Sequence, residues 1–445
     1  MQLTRALRLK PRQLLTFTGA GGKTSALQRL LKEIPQDSPF LLTTTTHLGQ
    51  RQLRQAVTHW IDSGQGDLVD LLTVLKVERR VLWTGPLDPT AEKWTGVPSA
   101  RIDEIKAEVA AIDGMIAVEG DGARQRLVKA PAAHEPVIPA ASDLVVPMAN
   151  LAALGRPLSE EVAHRPGRLA EVVGAEQGVA LSPAHLARLM TSDKGGLKGV
   201  PEGIEVRLLL NGLDDRNMAE AEALAEECLS RAIVVRSVAL ADLGAEGPVA
   251  SAYGRIAGVV LAAGGASRMG DLKQVREWRG VPMVRRAVEV AQQAGLAPLV
   301  VIVGQGGDQV RAALTSTGVE VVENPDWESG QSSSMKIGLA RAAAASEGVV
   351  FLLADMPLVE AEDIKRLVRE HRRSLADIVA PRAEGRYGNP VLFDRRAYPA
   401  LMAVEGDQGG KAVFDQFEIS AVPADRSALV DVDTEEDWEA LDGTR

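Results

Sequence analysis

Ile256-Ala257-Gly258-Val259-Val260-Leu261-Ala262-Ala263-Gly264-Gly265-Ala266-Ser267-Arg268-Met269-Gly270-Asp271-Leu272-Lys273 is the stretch that decides the fold of the second half of the chain. The apolar run over 256–263 predicts a buried strand, and the glycines that follow predict a tight loop. A helix is predicted shortly after, in PMVRRAVEVAQQAG. Strand, glycine loop and helix in that order open α/β units that bind phosphate at a helix N-terminus. The same order occurs about 240 residues earlier, where an apolar run over 14–17 leads into TGAGGKT and then SALQRLLKEI.

Further short apolar runs predict strands at 40–43, 81–84, 115–118, 144–147 and 206–211 in the first half. In the second half they fall at 299–303, 319–322, 349–353, 378–381 and 391–393. Short β-branched runs alternating with helical patterns indicate parallel sheets covered on both faces. At 445 residues the chain is long enough for two or three domains. The two glycine loops differ in sequence, which argues for a fusion of two α/β domains rather than an internal repeat. The expected division is 1–248 and 255–445, with the weakly patterned LADLGAEGPVASAYG at 240–254 as the joint.

Composition narrows the function classes. Lys and Arg number 50 against 60 Asp and Glu, a net charge of −10, so the chain lacks the basic face that coating a nucleic acid requires. Cys228 is the sole cysteine, which excludes an intrachain disulfide framework and a multi-cysteine metal site. It lies in an amphipathic helical pattern, AEAEALAEECLSRA, and reads as a buried structural thiol. No run approaches a membrane span, and the N-terminal MQLTRALRLKPRQ lacks an apolar signal core. The expectation is a cytoplasmic protein with no nucleic-acid or membrane partner.

In the first loop, Gly19, Gly21, Gly22, Lys23 and Thr24 resemble a P-loop: backbone N–H groups face phosphate, Lys23 adds charge, and the Thr24 hydroxyl is placed for Mg²⁺. The match is partial, because the full pattern needs a glycine where Phe17 stands. Two strand ends add polar groups: Glu119-Gly120-Asp121-Gly122-Ala123-Arg124, where Asp121 would give a second Mg²⁺ contact, and Thr43-Thr44-Thr45-Thr46-His47. Helix caps for the threonines and a solvated turn for Glu119 and Asp121 are the competing readings. His47, His134 and His164 fall in polar loops, and a metal site built from them is a lesser alternative.

The second loop offers two cations, Arg268 and Lys273, beside a glycine turn. Nucleotidyl transfer is mostly positioning and charge neutralisation, which is what cations and backbone donors supply. Acidic partners are present at Asp355, in LADMP at the end of an apolar run, and at Asp433, in VDVDT; together they suit Mg²⁺. Each precedes a predicted helix (362–369 and 435–441), so capping is the alternative role.

Two resemblances follow. GAGGKT, TTTTH, GDGAR, KAPAAHEPVIP and LGRPLSEEVAHRP, in that order over about residues 10–240, make the first half similar to the selenium-dependent hydroxylase accessory family of the YqeC type. That resemblance implies a context, the maturation of molybdenum hydroxylases; Lys129, His134 and Glu135 sit in KAPAAHEP, a proline-bounded polar loop. The second half, about 255–443, resembles the MobA-like nucleotidyltransferases through its glycine loop, LADMP, ENPDW, GQSSSMKIGL, GNPVLF, GDQGGK and DVDTEEDW. Within these it is most similar to molybdenum cofactor cytidylyltransferases, because LAAG stands where guanylyltransferases tend to have LAGG.

The resemblance implies a P-loop-like parallel-sheet domain fused to a Rossmann-like nucleotidyltransferase domain. It implies CTP and the molybdopterin cofactor as substrates with Mg²⁺, and ATP or GTP in the N-terminal domain. Leu261, Ala262, Ala263, Gly264, Gly265, Arg268 and Lys273 would bind the triphosphate; Asp355 and Asp433 would hold metal; Gln331 and Ser332–Ser334 would line the nucleotide or pterin site. Arg382, Arg386 and Lys411 are candidates for a basic acceptor pocket. The chain departs from the family at Ala266, usually Ser, at Arg276 and Glu277 in an expected apolar stretch, and at Lys411, commonly Arg. Competing functions are guanylyl transfer, a sugar- or polyol-phosphate substrate, and a chaperone that delivers cofactor to an apo molybdenum hydroxylase.

Overall fold

The computed structural model describes residues 1–50, 57–62, 64, 68–264, 272–425, 430–432 and 434–442. Two compact units divide the chain, Met1–Tyr253 and Gly254–Arg445. Both are mixed α/β folds built on a parallel sheet.

In the first unit, Leu14–Gly19 runs mid-sheet between Leu144–Asn150 and Met115–Glu119, parallel to both. A strand buried on both faces must be apolar at consecutive positions rather than alternate ones, and Leu14, Leu15 and Phe17 are fully buried. Helix Lys23–Glu33 starts directly after the glycines and turns Ala26, Leu27, Leu30 and Leu31 inward, the spacing of one helical face. The sheet continues outward through Glu205–Asn211 on one side and through Phe40–Thr44 and Arg80–Thr84 on the other. Because these strands are parallel, Gly19, Glu119, Asn150 and Asn211 finish at the same sheet edge.

The boundary between the units, Tyr253/Gly254, falls within the expected 240–254 stretch, but most of that stretch is strand of the first unit rather than linker. Val235–Ala241 pairs parallel with Glu205–Asn211, and Val249–Gly254 closes that side of the nine-stranded sheet. VASAYG buries Val249, Ala252 and Tyr253 at irregular positions, so neither a strand period nor a continuous apolar run marks it. The outer strand Thr58–Ile61, half exposed, was likewise unmarked. Cys228 sits fully buried on helix Met218–Arg231, and burial pushes its thiol up to about 12, as expected of a structural cysteine.

In the second unit, Ile256–Ala262 lies between Leu299–Val303 and Gly348–Leu353, parallel to both, with Glu320–Glu323 outermost. Beyond Gly348–Leu353 the sheet turns antiparallel at Val391–Asp394, which pairs in turn with Ile378–Ala383. Ile419–Pro423, which had no distinct signal, adds parallel to Ile378–Ala383. Loops leaving the parallel strands therefore share one edge, and Gly264, Gly304 and Asp355 follow those strand ends. Among the described residues, no helix is long and apolar enough to cross a membrane.

Candidate functional sites

In the first unit the glycine loop is fixed by its neighbours. Gly21 has φ 82°, and a Cβ there would sit 2.5 Å from Asn150 Cβ and 2.7 Å from the Leu127 carbonyl oxygen. The Gly21 carbonyl accepts from Asn211 Nδ2 at 2.8 Å and Asn150 Nδ2 at 3.3 Å. Two asparagines at adjacent strand ends thus hold the loop open, and neither carries a motif that would have announced it. The amides that begin helix Lys23–Glu33 have no acceptor within the helix and are the natural donors to an anion.

Lys23 does not point into solvent. It is 4% exposed, and its Nζ donates to the Gly19 carbonyl at 2.5 Å while lying 3.2 Å from Asp121 Oδ1 and 3.9 Å from Glu119 Oε1. Asp121 accepts further bonds on Oδ2, from the Gly19 amide at 3.1 Å and Lys129 Nζ at 2.8 Å. Lys129 also donates to the Gly122 carbonyl at 2.6 Å and pairs with Glu135 at 3.0 Å, and Arg165 reaches Glu135 at 2.7 Å. Burial alone would raise the Glu135 carboxyl, but the bonds from Arg165 and Lys129 outweigh it and hold it down at about 2. Glu119 moves the other way: burial pushes its carboxyl up against the pull of Lys23.

This network opens onto a cleft of about 1660 Å³ lined by Gly21, Gly22, Lys23, Thr24, Glu119 and Asn211, among others. His47, His134 and His164 line the same cleft. His47 contacts Asp88 at 3.3 Å, and burial with nearby Arg165, Lys129 and Arg124 lowers His164 to about 4. Among the described residues, no group of three or more His, Cys, Asp or Glu is arranged to hold a metal ion, so the histidines share a wall without forming a cluster. The threonine run divides: Thr44 donates to the Glu119 carbonyl at 3.0 Å, Thr45 to the Val137 carbonyl at 2.9 Å, and Thr46 lines the cleft.

In the second unit, Lys273 Nζ donates to Asp355 Oδ2 at 2.6 Å and approaches the Val432 carbonyl at 3.4 Å. Asp355 Oδ1 is buried without a hydrogen-bond partner among the described residues. The Val432 amide donates to the Asp355 carbonyl at 3.1 Å, so the C-terminal VDVDT segment is tied to the strand-end loop. Gln274, almost fully buried, donates to the Gly264 carbonyl at 2.6 Å and fixes the first residue of the glycine loop. Gly265, Arg268 and Asp433, and Ala266 with them, lie outside the described residues.

A second cleft of about 230 Å³ lies between Leu261, Gln331, Phe351, Asn389, Phe393 and Lys411. Gln331 begins helix Gln331–Ala342 and reaches this cleft, whereas Ser332 and Ser334 are buried. Asn324 Nδ2 donates to Ser333 Oγ at 2.8 Å and Ser334 Oγ at 2.9 Å, which makes those hydroxyls anchors of the helix rather than part of the cleft wall. GDQGGK brings backbone close to this wall: a Cβ on Gly409 would sit 2.5 Å from Gln331 Oε1, and one on Gly410 2.5 Å from the Phe393 ring. Lys411 donates to the Tyr387 carbonyl at 3.0 Å, and burial lowers its ammonium. Arg382 and Arg386 are exposed and do not line the cleft; Arg382 stacks over Tyr387 at 5.4 Å. Arg276, the polar residue in an expected apolar stretch, pairs with Glu435 at 2.6 Å and lies 4.0 Å over the Trp438 ring, which clamps helix Glu435–Asp442.

A parallel strand ending at Gly264, with a lysine–aspartate pair at the end of the neighbouring parallel strand, is the frame of a nucleotide-handling α/β protein. The chain belongs to two families: its residues 258–422 match the MobA-like NTP transferase domain and its residues 15–167 match the YqeC protein family. Its C-terminal part is accordingly a nucleotidyltransferase domain. The chain is 30% identical over 192 residues to nicotine blue oxidoreductase of Paenarthrobacter nicotinovorans, spanning 41% of this chain and 93% of that one. It is 30% identical over 199 residues to YqeC of Escherichia coli strain K12, spanning 42% of this chain and 72% of that protein. A crystal structure of Rv0371c from Mycobacterium tuberculosis H37Rv is 30% identical, with 42% of this chain and 97% of that chain covered, at a TM-score of 0.39.

Proposed function

We propose that the C-terminal unit transfers CMP from CTP to the terminal phosphate of the molybdopterin cofactor, and that the N-terminal unit is a nucleotide-binding accessory to that step. The observation that carries the reading is Lys273 bonded to Asp355 at 2.6 Å, beside a glycine loop whose first carbonyl is fixed by Gln274. The cofactor phosphate attacks the α-phosphorus in line; the new P–O bond forms as the bond to the bridging oxygen breaks, and pyrophosphate leaves. Lys273 binds the phosphate oxygens and offsets the charge that grows on them, with Arg268 as the second cation. A divalent cation held by Asp355, whose Oδ1 is an unsatisfied buried acceptor, and by Asp433 would add further neutralisation. No protein nucleophile is required.

The cleft beside Leu261 and Gln331 offers apolar walls for a flat ring and amides from Gln331 and Asn389 for its edge, and Lys411 supplies a cation for the acceptor phosphate. That supports a pterin phosphate over an uncharged acceptor. Measuring the consumption of CTP and GTP with purified cofactor and Mg²⁺ tests the reading. CTP consumption that depends on the cofactor is expected; turnover of GTP alone would replace cytidylyl with guanylyl transfer.

One relative is named for oxidoreduction, so a redox reading of the same fold has a specific basis. Pyrophosphate release distinguishes them, since only the transfer reaction produces it. The delivery reading would instead appear as lasting cofactor retention without turnover, together with complex formation with an apo molybdenum hydroxylase.

A further inference from the structure

Lys23 belongs to a loop built for phosphate, yet its ammonium is committed to the protein. It donates a hydrogen bond to the Gly19 carbonyl and is ion-paired with Asp121 Oδ1 and Glu119 Oε1, and its side chain is 3% exposed. A phosphate chain entering the cleft on its own would meet two carboxylates behind that lysine. Taking Lys23 away from them would leave buried negative charge uncompensated, which is costly. The arrangement becomes favourable if another cation replaces the ammonium as the lysine moves to phosphate.

The carboxylates are equipped for such a cation. Asp121 is 2% exposed and its Oδ1 accepts no hydrogen bond; Glu119 Oε2 is buried with no partner either. Both belong to carboxylates that are ion-paired with Lys23. Thr24 lines the same cleft one residue on. Two carboxylates do not hold a hard divalent ion alone, and among the described residues no third carboxylate or histidine joins them. Mg²⁺ typically binds through one or two carboxylates, waters and the phosphates of its ligand. Metal and phosphate would therefore complete each other's site.

We infer that the N-terminal cleft takes a phosphate chain only together with a divalent cation, which displaces Lys23 from Asp121 and Glu119 and so frees it for the phosphate. The inference rests on reading the glycine loop as a phosphate site and adds an obligatory exchange of cations. Lys129, on the other oxygen of Asp121, stays in place through Glu135 and the Gly122 carbonyl and keeps that carboxylate oriented.

The test uses the full chain carrying Arg268→Ala, Lys273→Ala, Asp355→Ala and Asp433→Ala, so that the C-terminal unit's proposed metal and phosphate ligands are removed. Inorganic triphosphate is titrated calorimetrically with Mg²⁺ or with EDTA, and Mn²⁺ alone is titrated by electron paramagnetic resonance. Triphosphate is expected to bind at least about tenfold more tightly with Mg²⁺. Glu119→Gln should bind Mn²⁺ more weakly, whereas Lys23→Ala should bind Mn²⁺ about tenfold more tightly because a competing charge is gone. Lys23→Ala should also lose most of its affinity for Mg²⁺–triphosphate. A merely structural lysine would not move the two affinities in opposite directions. Equal triphosphate binding in EDTA, or Mn²⁺ affinity unchanged in Lys23→Ala, overturns the exchange while leaving the phosphate site standing. No triphosphate binding under either condition overturns the phosphate site and the exchange with it.

Discussion

Lys23 and Lys273 each follow a strand and a glycine-rich stretch, yet they are held differently. Lys23 is closed in by two carboxylates and a carbonyl at 3% side-chain exposure; Lys273, paired with Asp355, is 19% exposed. The first is an ion network in the protein interior, where removing a member leaves its partners uncompensated. The second sits at the mouth of a strand-end loop, with Asp355 still offering a free oxygen. A shared order of strand, glycine and lysine thus does not fix readiness: the depth at which the lysine is buried does.

The largest expected effect breaks the comparison at the ready site. Lys273→Ala should lower kcat/KM for cytidylyl transfer by about 10²–10³-fold with the thermal transition little changed. Near-normal turnover would remove Lys273 from the chemistry. Next is the frame of the closed site. Gly21→Ala places a side chain at φ 82° against Asn150, and should cost about 1–3 kcal/mol by denaturant titration of the first unit. Loss of less than a few tenths of a kcal/mol would mean the loop adapts freely.

The closed site should also carry a pH signature. His164 is held at about 4, below the ordinary 6.5, because it is buried and faces cations. Between these values the unfolded chain binds a proton that the folded chain refuses, so stability should fall as pH drops from about 6.5 to about 4. Glu135, held at about 2 against an ordinary 4.5, adds loss only below about 4.5. In chemical denaturation across this range, His164→Gln should flatten the upper part of the slope and leave the lower part. A slope unchanged above pH 4.5 would contradict it. The smallest effect concerns the C-terminal helix: Arg276→Ala should speed its proteolytic removal by less than about fivefold, because an exposed pair contributes little.

What the sequence made legible was local. Continuous apolar runs predicted the central strands, and glycine clusters predicted both loops, since a buried parallel strand and a tight turn each leave a pattern within ten residues. The helix after GAGGKT, the buried Cys228 and the motif pair Lys273 with Asp355 follow from that kind of signal. The edge strands Val249–Gly254 and Ile419–Pro423 did not, because small or half-exposed residues at a sheet rim need no apolar run. The Lys129–Glu135–Arg165 network was hidden for a different reason. Lys129 and Glu135 share one segment but Arg165 comes from another, and only the fold brings them to Asp121. Gln274 and Asn324 are ordinary polar residues in sequence, yet one fixes the glycine loop and the other anchors the helix behind Gln331.

The most direct test of the transferase reading is the product itself. The full chain is incubated with molybdenum cofactor, Mg²⁺ and each nucleoside triphosphate in turn, and the pterin product is identified by mass. The account predicts a cofactor heavier by one CMP, formed from CTP with one pyrophosphate released and absent with Lys273→Ala. A cofactor unchanged in mass with every nucleotide, or one that gains a different nucleotide while CTP is ignored, would contradict it.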